Sequence, residues 1–163
     1  VSFCSDLVDF IANFAKDINL IQSYMPTPTH LAHKPITSVD DYSQHDGIYA
    51  NNTDVQSLSI GKAQYDGNEI SAKVFRQVNG KWSRQSEELP LHRIFDLSTT
   101  TLKSILMSAN IPQPITTLNV SAIQPNELQS ILSYYKANRN ILLPKLQELQ
   151  ILLNYFMNEE PKL

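Results

Sequence analysis

The stretch from Gly80 to Arg93, GKWSRQSEELPLHR, holds the side chains of this sequence that are best suited to chemistry. It contains the only tryptophan, two arginines, a lysine, two adjacent glutamates and one of the four histidines. An aromatic ring beside cationic groups can hold a planar anion, whereas a histidine beside carboxylates can transfer protons. The residue types therefore leave open both a ligand-binding surface and an acid–base site.

The acid–base interpretation depends on His92 and on the glutamates that precede it. His92 and Asp96 are four positions apart in a predicted helix, a spacing at which side chains touch. With Glu87 or Glu88 nearby, His92 could act as general acid and base in a hydrolase-like enzyme, and these are the candidate catalytic residues. No G-x-S-x-G frame presents a serine nucleophile, so pairing on the helix surface is the alternative role.

The ligand-binding interpretation depends on the Asn-Gly dipeptide at positions 79 and 80, which is typical of a two-residue hairpin turn with positive φ angles. This turn would pair Gln77 with Trp82 and Phe75 with Arg84. Side chains alternate between the faces of a strand, so one face would collect the candidate ligand-binding residues above a floor of small side chains. These candidates are Lys73, Phe75, Trp82 and Arg84. A planar anionic ligand, such as a nucleotide, could stack there.

The alternative is that this face is buried. A helix or the segment 26–54 would then pack on the small residues, and Trp82 would seal the edge. The opposite face is predicted to be the core face, covered by the predicted helices, because it collects the apolar residues of the strands. These residues are Leu58, Ile60, Ile70, Ala72, Val74 and Val78.

The segment 26–54 is predicted to be irregular and polar. Its DGIYANNTD stretch could build turns or line a pocket beside the strands, so Asn51 and Asn52 join the candidate ligand-binding residues. His30, His33 and His45 have spacings that a metal site could use. Prolines on either side of the first two disfavour a helical turn, and we predict no metal site.

The elements that position these residues follow from apolar periodicity. Steps of four and three predict a helix over residues 5–24, with its stripe at Leu7, Ile11, Phe14, Ile18 and Ile21. Alternating runs separated by turns predict a three-stranded antiparallel meander over 55–89. Further apolar stripes predict two to three helices over 90–159. We therefore predict a single α+β domain over 1–163.

Composition narrows the classes of function. The net charge is −3 with a pI of about 5.8, and without a polybasic run this disfavours a nucleic-acid partner. Cys4 is the only cysteine, which excludes an intrachain disulfide and favours the cytoplasm. No apolar run reaches the roughly 18 residues of a membrane span. Because no glycine-rich phosphate loop is present, we expect no cofactor.

Three motifs resemble those of a bacterial family known only as a domain of unknown function. They are the YANNTD turn at 49–54, the LSIGKAQ strand at 58–64 and the WSRQSEELPLHR stretch at 82–93. The likeness extends over residues 30–106. It implies a bacterial, cytoplasmic protein and brings no activity, substrate or catalytic residue.

The sequence thus predicts a non-catalytic binding or interaction module that uses an aromatic and cationic sheet face. Its partner would be a small anionic or planar ligand, or another protein, and not a membrane. The hydrolase-like enzyme is the alternative. The apolar stripe over 142–156 also leaves open a homodimer, or a structural subunit held together by its helices.

Overall fold

The centre of the fold is an antiparallel sheet. A computed structural model describes residues 26–162, so the helix predicted at 5–24 lies outside the described residues. The strands are β1 Lys34–Val39, β2 Val55–Lys62, β3 Ile70–Val78, β4 Lys81–Trp82 and β5 Glu88–Pro90. β1, β2 and β3 are neighbours in that order, while β4 and β5 both pair with the far edge of β3.

Three described helices follow the sheet: α1 Leu91–Ser108, α2 Leu128–Ala137 and α3 Arg139–Glu159. α1 contacts β3 and β5, and α2 contacts both α1 and α3. Strands and helices are segregated along the chain, which is typical of the α+β class. The prediction of an α+β fold is therefore confirmed. Within residues 26–162 the sheet has five strands instead of the predicted three. None of the helices in the described range has the length and apolarity needed to cross a membrane.

The tight hairpin predicted at positions 79 and 80 is present. Gln77 pairs with Trp82, and Val78 pairs with Lys81. The two turn residues have φ angles of 51° and 72°. Two consecutive positive φ angles are what a type I′ turn requires, and only asparagine and glycine adopt them readily.

Beyond the hairpin, the strand pairing differs from the prediction. The ladder stops after Trp82 and resumes where Glu88 pairs with Lys73. Between the pair of Gln77 with Trp82 and the pair of Lys73 with Glu88, β3 covers four positions. The segment that pairs with it covers six positions, from 82 to 88. The two extra residues leave Arg84 in a connecting segment instead of opposite Phe75. Because the shift is even, Glu88 stays on the same face as Lys73.

The prediction that 26–54 is irregular is wrong for β1, which pairs with β2 along the edge of the sheet. Most of β1 is exposed, so its sequence lacks the apolar alternation of a half-buried strand. Pro35 lies beside an irregularity in the ladder. Edge strands and bulges are the places where a residue without an N–H donor is tolerated.

The buried face of the sheet is the face with the small residues. The side chains that are at most 3% exposed include Ser57, Ser59, Ser71 and Phe75. The segment before β1 covers them, and Thr27 Oγ1 donates a hydrogen bond to Ser57 Oγ at 2.8 Å. The alternative in which part of 26–54 packs on the small residues is confirmed. Phe75 is therefore not at the surface, contrary to the prediction of an open aromatic face.

The predicted core face is partly open among the described residues. Ile60 and Ile70 are each 39% exposed, and Val78 is 48% exposed. α1 approaches this side of β3 and β5 but leaves the apolar side chains of β2 accessible. This face is apolar, as predicted, but the described helices cover it only in part.

Candidate ligand-binding site

A buried polar cluster lies on the covered face of the sheet, centred on the carboxylate of Glu88, which is 2% exposed. Lys73 Nζ donates to Glu88 Oε2 at 3.1 Å. Ser71 Oγ donates to Oε1 at 2.7 Å, and the backbone N–H of Gln64 donates to the same oxygen at 2.9 Å. These groups meet because Ser71 and Lys73 share a face of β3, and β5 places Glu88 directly opposite Lys73.

His33 joins the cluster to the covering segment. Its ring is fully buried, with Nδ1 3.2 Å from Glu88 Oε1 and Nε2 3.1 Å from Ser59 Oγ. The ring also meets Phe75 edge-on, with 5.8 Å between centroids. Polar contacts to two strands and an aromatic contact to β3 fix residues 27–33 on the sheet.

Hydrogen bonds outweigh burial in their effect on the pKa of Glu88. Burial raises the pKa of this carboxyl, but donors from Ser71, the Gln64 backbone, Lys73 and His33 together hold the pKa below its ordinary value of 4.5. The carboxylate is therefore charged at neutral pH and balances the ammonium of Lys73. A buried ion pair needs further hydrogen bonds to offset its desolvation, and Lys73 has one to Gln64 Oε1 at 3.3 Å.

A cavity of about 630 Å³ lies beside this cluster. Its wall includes His30, His33, Lys73, Lys81, Trp82 and Arg84. Within the described part of the chain, the wall contains no carboxylate, and Lys81 and Arg84 form no ion pair. The cavity therefore presents positive charge beside an aromatic ring, an arrangement that attracts anions.

Trp82 is the aromatic wall of the cavity and is only partly exposed. Its ring packs edge-on against Phe75, with 5.8 Å between centroids. Phe75 thus supports the indole from behind. Ser86 also lines the cavity, and its buried hydroxyl has no hydrogen-bond partner among residues 26–162. Such unpaired buried groups are rare, and this one could bond to a ligand.

Three of the predicted ligand-binding residues line the cavity: Lys73, Trp82 and Arg84. Asn51 and Asn52 are not part of its wall. Asn51 has a φ of 62°, and the backbone N–H groups of both residues bond to carbonyls of their own loop. They shape the turn before β2, which was the alternative role considered for them.

The candidate catalytic residues have separate environments. His92 is exposed on α1 and, among the described residues, bonds to neither glutamate. Glu87 instead forms an ion pair with Arg76, in which Arg76 Nη2 lies 2.8 Å from Glu87 Oε1. Glu88 belongs to the buried cluster. Within residues 26–162, the structure therefore brings neither Glu87 nor Glu88 into contact with His92.

A different serine, histidine and acid are joined in the buried cluster. Ser59 Oγ, the two ring nitrogens of His33 and Glu88 Oε1 form a chain of contacts of 3.1 and 3.2 Å. This is the arrangement of a nucleophile, a base and an orienting acid. Ser59, however, is 3% exposed and lies in β2 between β1 and β3, where a substrate has no direct approach.

Other lining residues were not predicted as ligand contacts. Lys81 lies in the cationic stretch from Gly80 to Arg93, and this was its only signal in the sequence. His30 was considered only for metal binding. The described residues contain no group of three or more His, Cys, Asp or Glu side chains arranged around a metal position. His33 is in the buried cluster, and His45 lies 3.6 Å from Asp41.

The fold and this site define an α+β protein with a cationic and aromatic cavity on the covered side of its sheet. A family model described as Family of unknown function (DUF6530) matches residues 25–158. The chain belongs to this family, and the resemblance to an uncharacterised family is confirmed. The chain has no significant match among curated proteins or among solved structures.

Proposed function

We propose that this protein is a non-catalytic binding module whose cavity holds a small anionic ligand with a planar group. The observation that carries the proposal is the position of Trp82 beside Lys81 and Arg84, two cations without an ion pair among the described residues. A volume of about 630 Å³ suits a small molecule, because such sites measure about 300–1,000 Å³.

The side chains of the wall have different roles in this proposal. Glu88 already neutralises Lys73, so Lys81 and Arg84 supply the charge that an anion requires. The planar guanidinium of Arg84 suits phosphate or carboxylate oxygens. The indole of Trp82 suits a flat ring, since aromatic stacking accepts any base. The ligand class that fits best is therefore a phosphorylated or carboxylated aromatic compound.

The only tryptophan of the chain is Trp82, so its fluorescence is a direct probe of the cavity. The experiment titrates the full chain with nucleoside phosphates, with nucleosides and with inorganic phosphate. We expect nucleoside phosphates to quench the fluorescence and raise the melting temperature. Nucleosides and phosphate alone should bind more weakly, because each offers one half of the contacts. Failure of every planar anion to bind would refute the proposal.

A matched pair of variants locates the binding. Arg84→Ala removes an exposed cation of the wall and should weaken binding about tenfold to a hundredfold, since a hydrogen bond to a charged group contributes about 1.5–3 kcal/mol. Arg93→Ala removes an exposed cation of α1 that does not line the cavity. Equal losses in the two variants would show that binding responds only to the overall charge.

One observation supports a hydrolase as a second candidate, namely the chain of contacts from Ser59 through His33 to Glu88. An activated serine reacts with a fluorophosphonate probe, and Ser59→Ala would abolish the labelling. A binding module without catalysis leaves Ser59 unlabelled. The probe therefore separates the two candidates in one measurement, because its reaction does not depend on Lys81 or Arg84.

We further propose that the protein acts in the bacterial cytoplasm. The resemblance of the three motifs at 49–54, 58–64 and 82–93 to those of a bacterial family supports this location, and so does the use of a single cysteine, Cys4. Fractionation of cells that produce the protein from its own locus is the test, and recovery with the envelope would contradict the proposal.

A further inference from the structure

The helix α3 carries an apolar stripe that is half groove and half exposed ridge. Leu142 and Leu146, in its first half, line a groove of about 410 Å³ between α3 and α1. Leu153 and Phe156, in its second half, are 54% and 48% exposed. Steps of four and three from Leu142 through Leu149 to Phe156 place all five side chains on one side of the helix. One side of α3 therefore presents both a depression and projecting side chains.

The second half of α3 has no polar attachment to the rest of the described chain. α3 contacts α2 and the turn at Gly47–Tyr49, and Lys145 Nζ donates to the carbonyl of His45 at 2.8 Å. Within residues 26–162, the side chains of 150–159 form no hydrogen bond or ion pair with any element that precedes α3. An exposed apolar surface on such a helix indicates a contact that lies beyond these elements.

We propose that a second copy of this chain covers the stripe, with the two α3 helices packed antiparallel about Leu149. A two-fold interface uses the same surface of both copies, so this surface must be complementary to itself. An antiparallel pair centred next to Leu149 places Leu153 near Leu146 of the second copy, and Phe156 near its Leu142. The exposed half of each stripe then fills the groove of the other copy.

Charges at the two ends of α3 also complement each other in this arrangement. Arg139 begins the helix, Glu160 directly follows it, and both side chains are exposed. Neither forms an ion pair within residues 26–162. Because both lie equally far from the centre next to Leu149, the antiparallel pair brings Arg139 of each copy opposite Glu160 of the other. A parallel pair would put like charges together, so shape and charge favour the same arrangement.

Sedimentation equilibrium of the full chain tests the proposal with a matched pair of variants. Leu153→Lys puts a charge on the stripe, while Ile151→Lys puts the same charge on the opposite side of α3, at a side chain that is 70% exposed. We expect the native chain and Ile151→Lys to form dimers. Leu153→Lys should raise the dissociation constant about a hundredfold or more, because an unpaired charge would be buried between the helices.

Both substituted side chains are exposed in the single chain, so circular dichroism should show that both variants remain folded. A native chain that stays monomeric would assign the stripe to another occupant and overturn the proposal. Dimers of equal stability in the two variants would place the interface elsewhere and also overturn it. No residue of α3 lines the ligand cavity, so these outcomes are independent of the proposed function.

A charge exchange tests the antiparallel arrangement by itself. Arg139→Glu and Glu160→Arg should each weaken the dimer, because each places like charges opposite one another. The chain with both substitutions should recover most of the lost affinity, since the pair is restored with its charges exchanged. Losses that simply add in the double variant would contradict the antiparallel pairing.

Discussion

Replacing Glu88 with glutamine tests whether the buried cluster stabilises the fold. Glutamine has nearly the same shape but carries no charge, and only one of its terminal atoms accepts hydrogen bonds. In the native protein both carboxylate oxygens accept, Oε1 from Ser71 and the Gln64 N–H, and Oε2 from Lys73. In Glu88→Gln, the NH₂ group must therefore face another donor, and the Lys73 ammonium stays buried without its counter-ion.

The expected loss in free energy of unfolding is large for a single substitution that keeps the shape of the side chain. Removing one partner of a buried ion pair costs about 3–5 kcal/mol. Because the amide oxygen of glutamine still accepts hydrogen bonds, we expect Glu88→Gln to lie near the lower end of this range, at about 3 kcal/mol. A chain of this size loses about 2–4 °C of melting temperature per kcal/mol. We therefore expect a decrease of roughly 6–12 °C in thermal unfolding followed by circular dichroism at pH 7.

The neighbouring residue supplies a matched control. Glu87 also forms an ion pair, with Arg76, but its side chain is 56% exposed. Exposed pairs contribute about 0–1 kcal/mol, so Glu87→Gln should have only a small effect. If the two variants unfold at the same temperature, the buried cluster does not stabilise the fold as its geometry indicates. A second change, Lys73→Met in the Glu88→Gln background, should recover part of the loss by removing the stranded charge.

The stability that Glu88 contributes should decrease at low pH. The folded-state pKa of Glu88 lies below its ordinary value of 4.5, so the unfolded chain binds the proton more readily. The stabilisation from this carboxylate is therefore fully present above pH 4.5 and is lost as the pH falls through the lower, folded-state pKa. The difference in melting temperature between the native protein and Glu88→Gln should shrink from pH 6 to pH 3. A constant difference would contradict the assignment.

Three further predictions concern the sheet and the cavity. A Cβ at Gly61 would overlap the Lys34 carbonyl, so Gly61→Ala should cost about 1–3 kcal/mol in urea unfolding. Gly67→Ala is its control, because nothing lies within 4 Å of a Cβ there. Phe75→Ala should cost about 3–5 kcal/mol, since this ring is fully buried, and calorimetry measures the loss. Ligand affinity should fall with added salt, but less in Arg84→Ala, and equal salt slopes would exclude Arg84 as a contact.

The sequence predicted those elements whose structure depends mainly on residues close together in the chain. The positive φ angles at positions 79 and 80 follow from the residues that tolerate them, and the pairing of Gln77 with Trp82 follows from the turn. The helix after Pro90 was predicted from its apolar stripe and was found at Leu91–Ser108. β1 could not be predicted, because an exposed edge strand has no apolar alternation to detect.

The buried face of the sheet could not be predicted from composition, because its burial depends on partners distant in the sequence. Ser59 and Ser71 are polar, and a polar group is buried at low cost only when it is hydrogen-bonded. Their partners, His33 and Glu88, come from outside β2 and β3. The same reason explains why Lys73, Trp82 and Arg84 were predicted as a group but without the cavity that joins them.

The covered face has two parts that are chemically linked, the buried cluster around Glu88 and the wall of the cavity. Lys73 belongs to both, since its ammonium bonds to Glu88 and its side chain lines the cavity. Because Glu88 neutralises Lys73, the proposed anion would depend mainly on Lys81 and Arg84, whose exposed side chains contribute little to folding. Substitutions in the cluster should therefore reduce stability first, and substitutions at the exposed wall should reduce affinity alone. Lys73→Met should affect both stability and affinity, because it removes a cation from the wall and strands the Glu88 carboxylate.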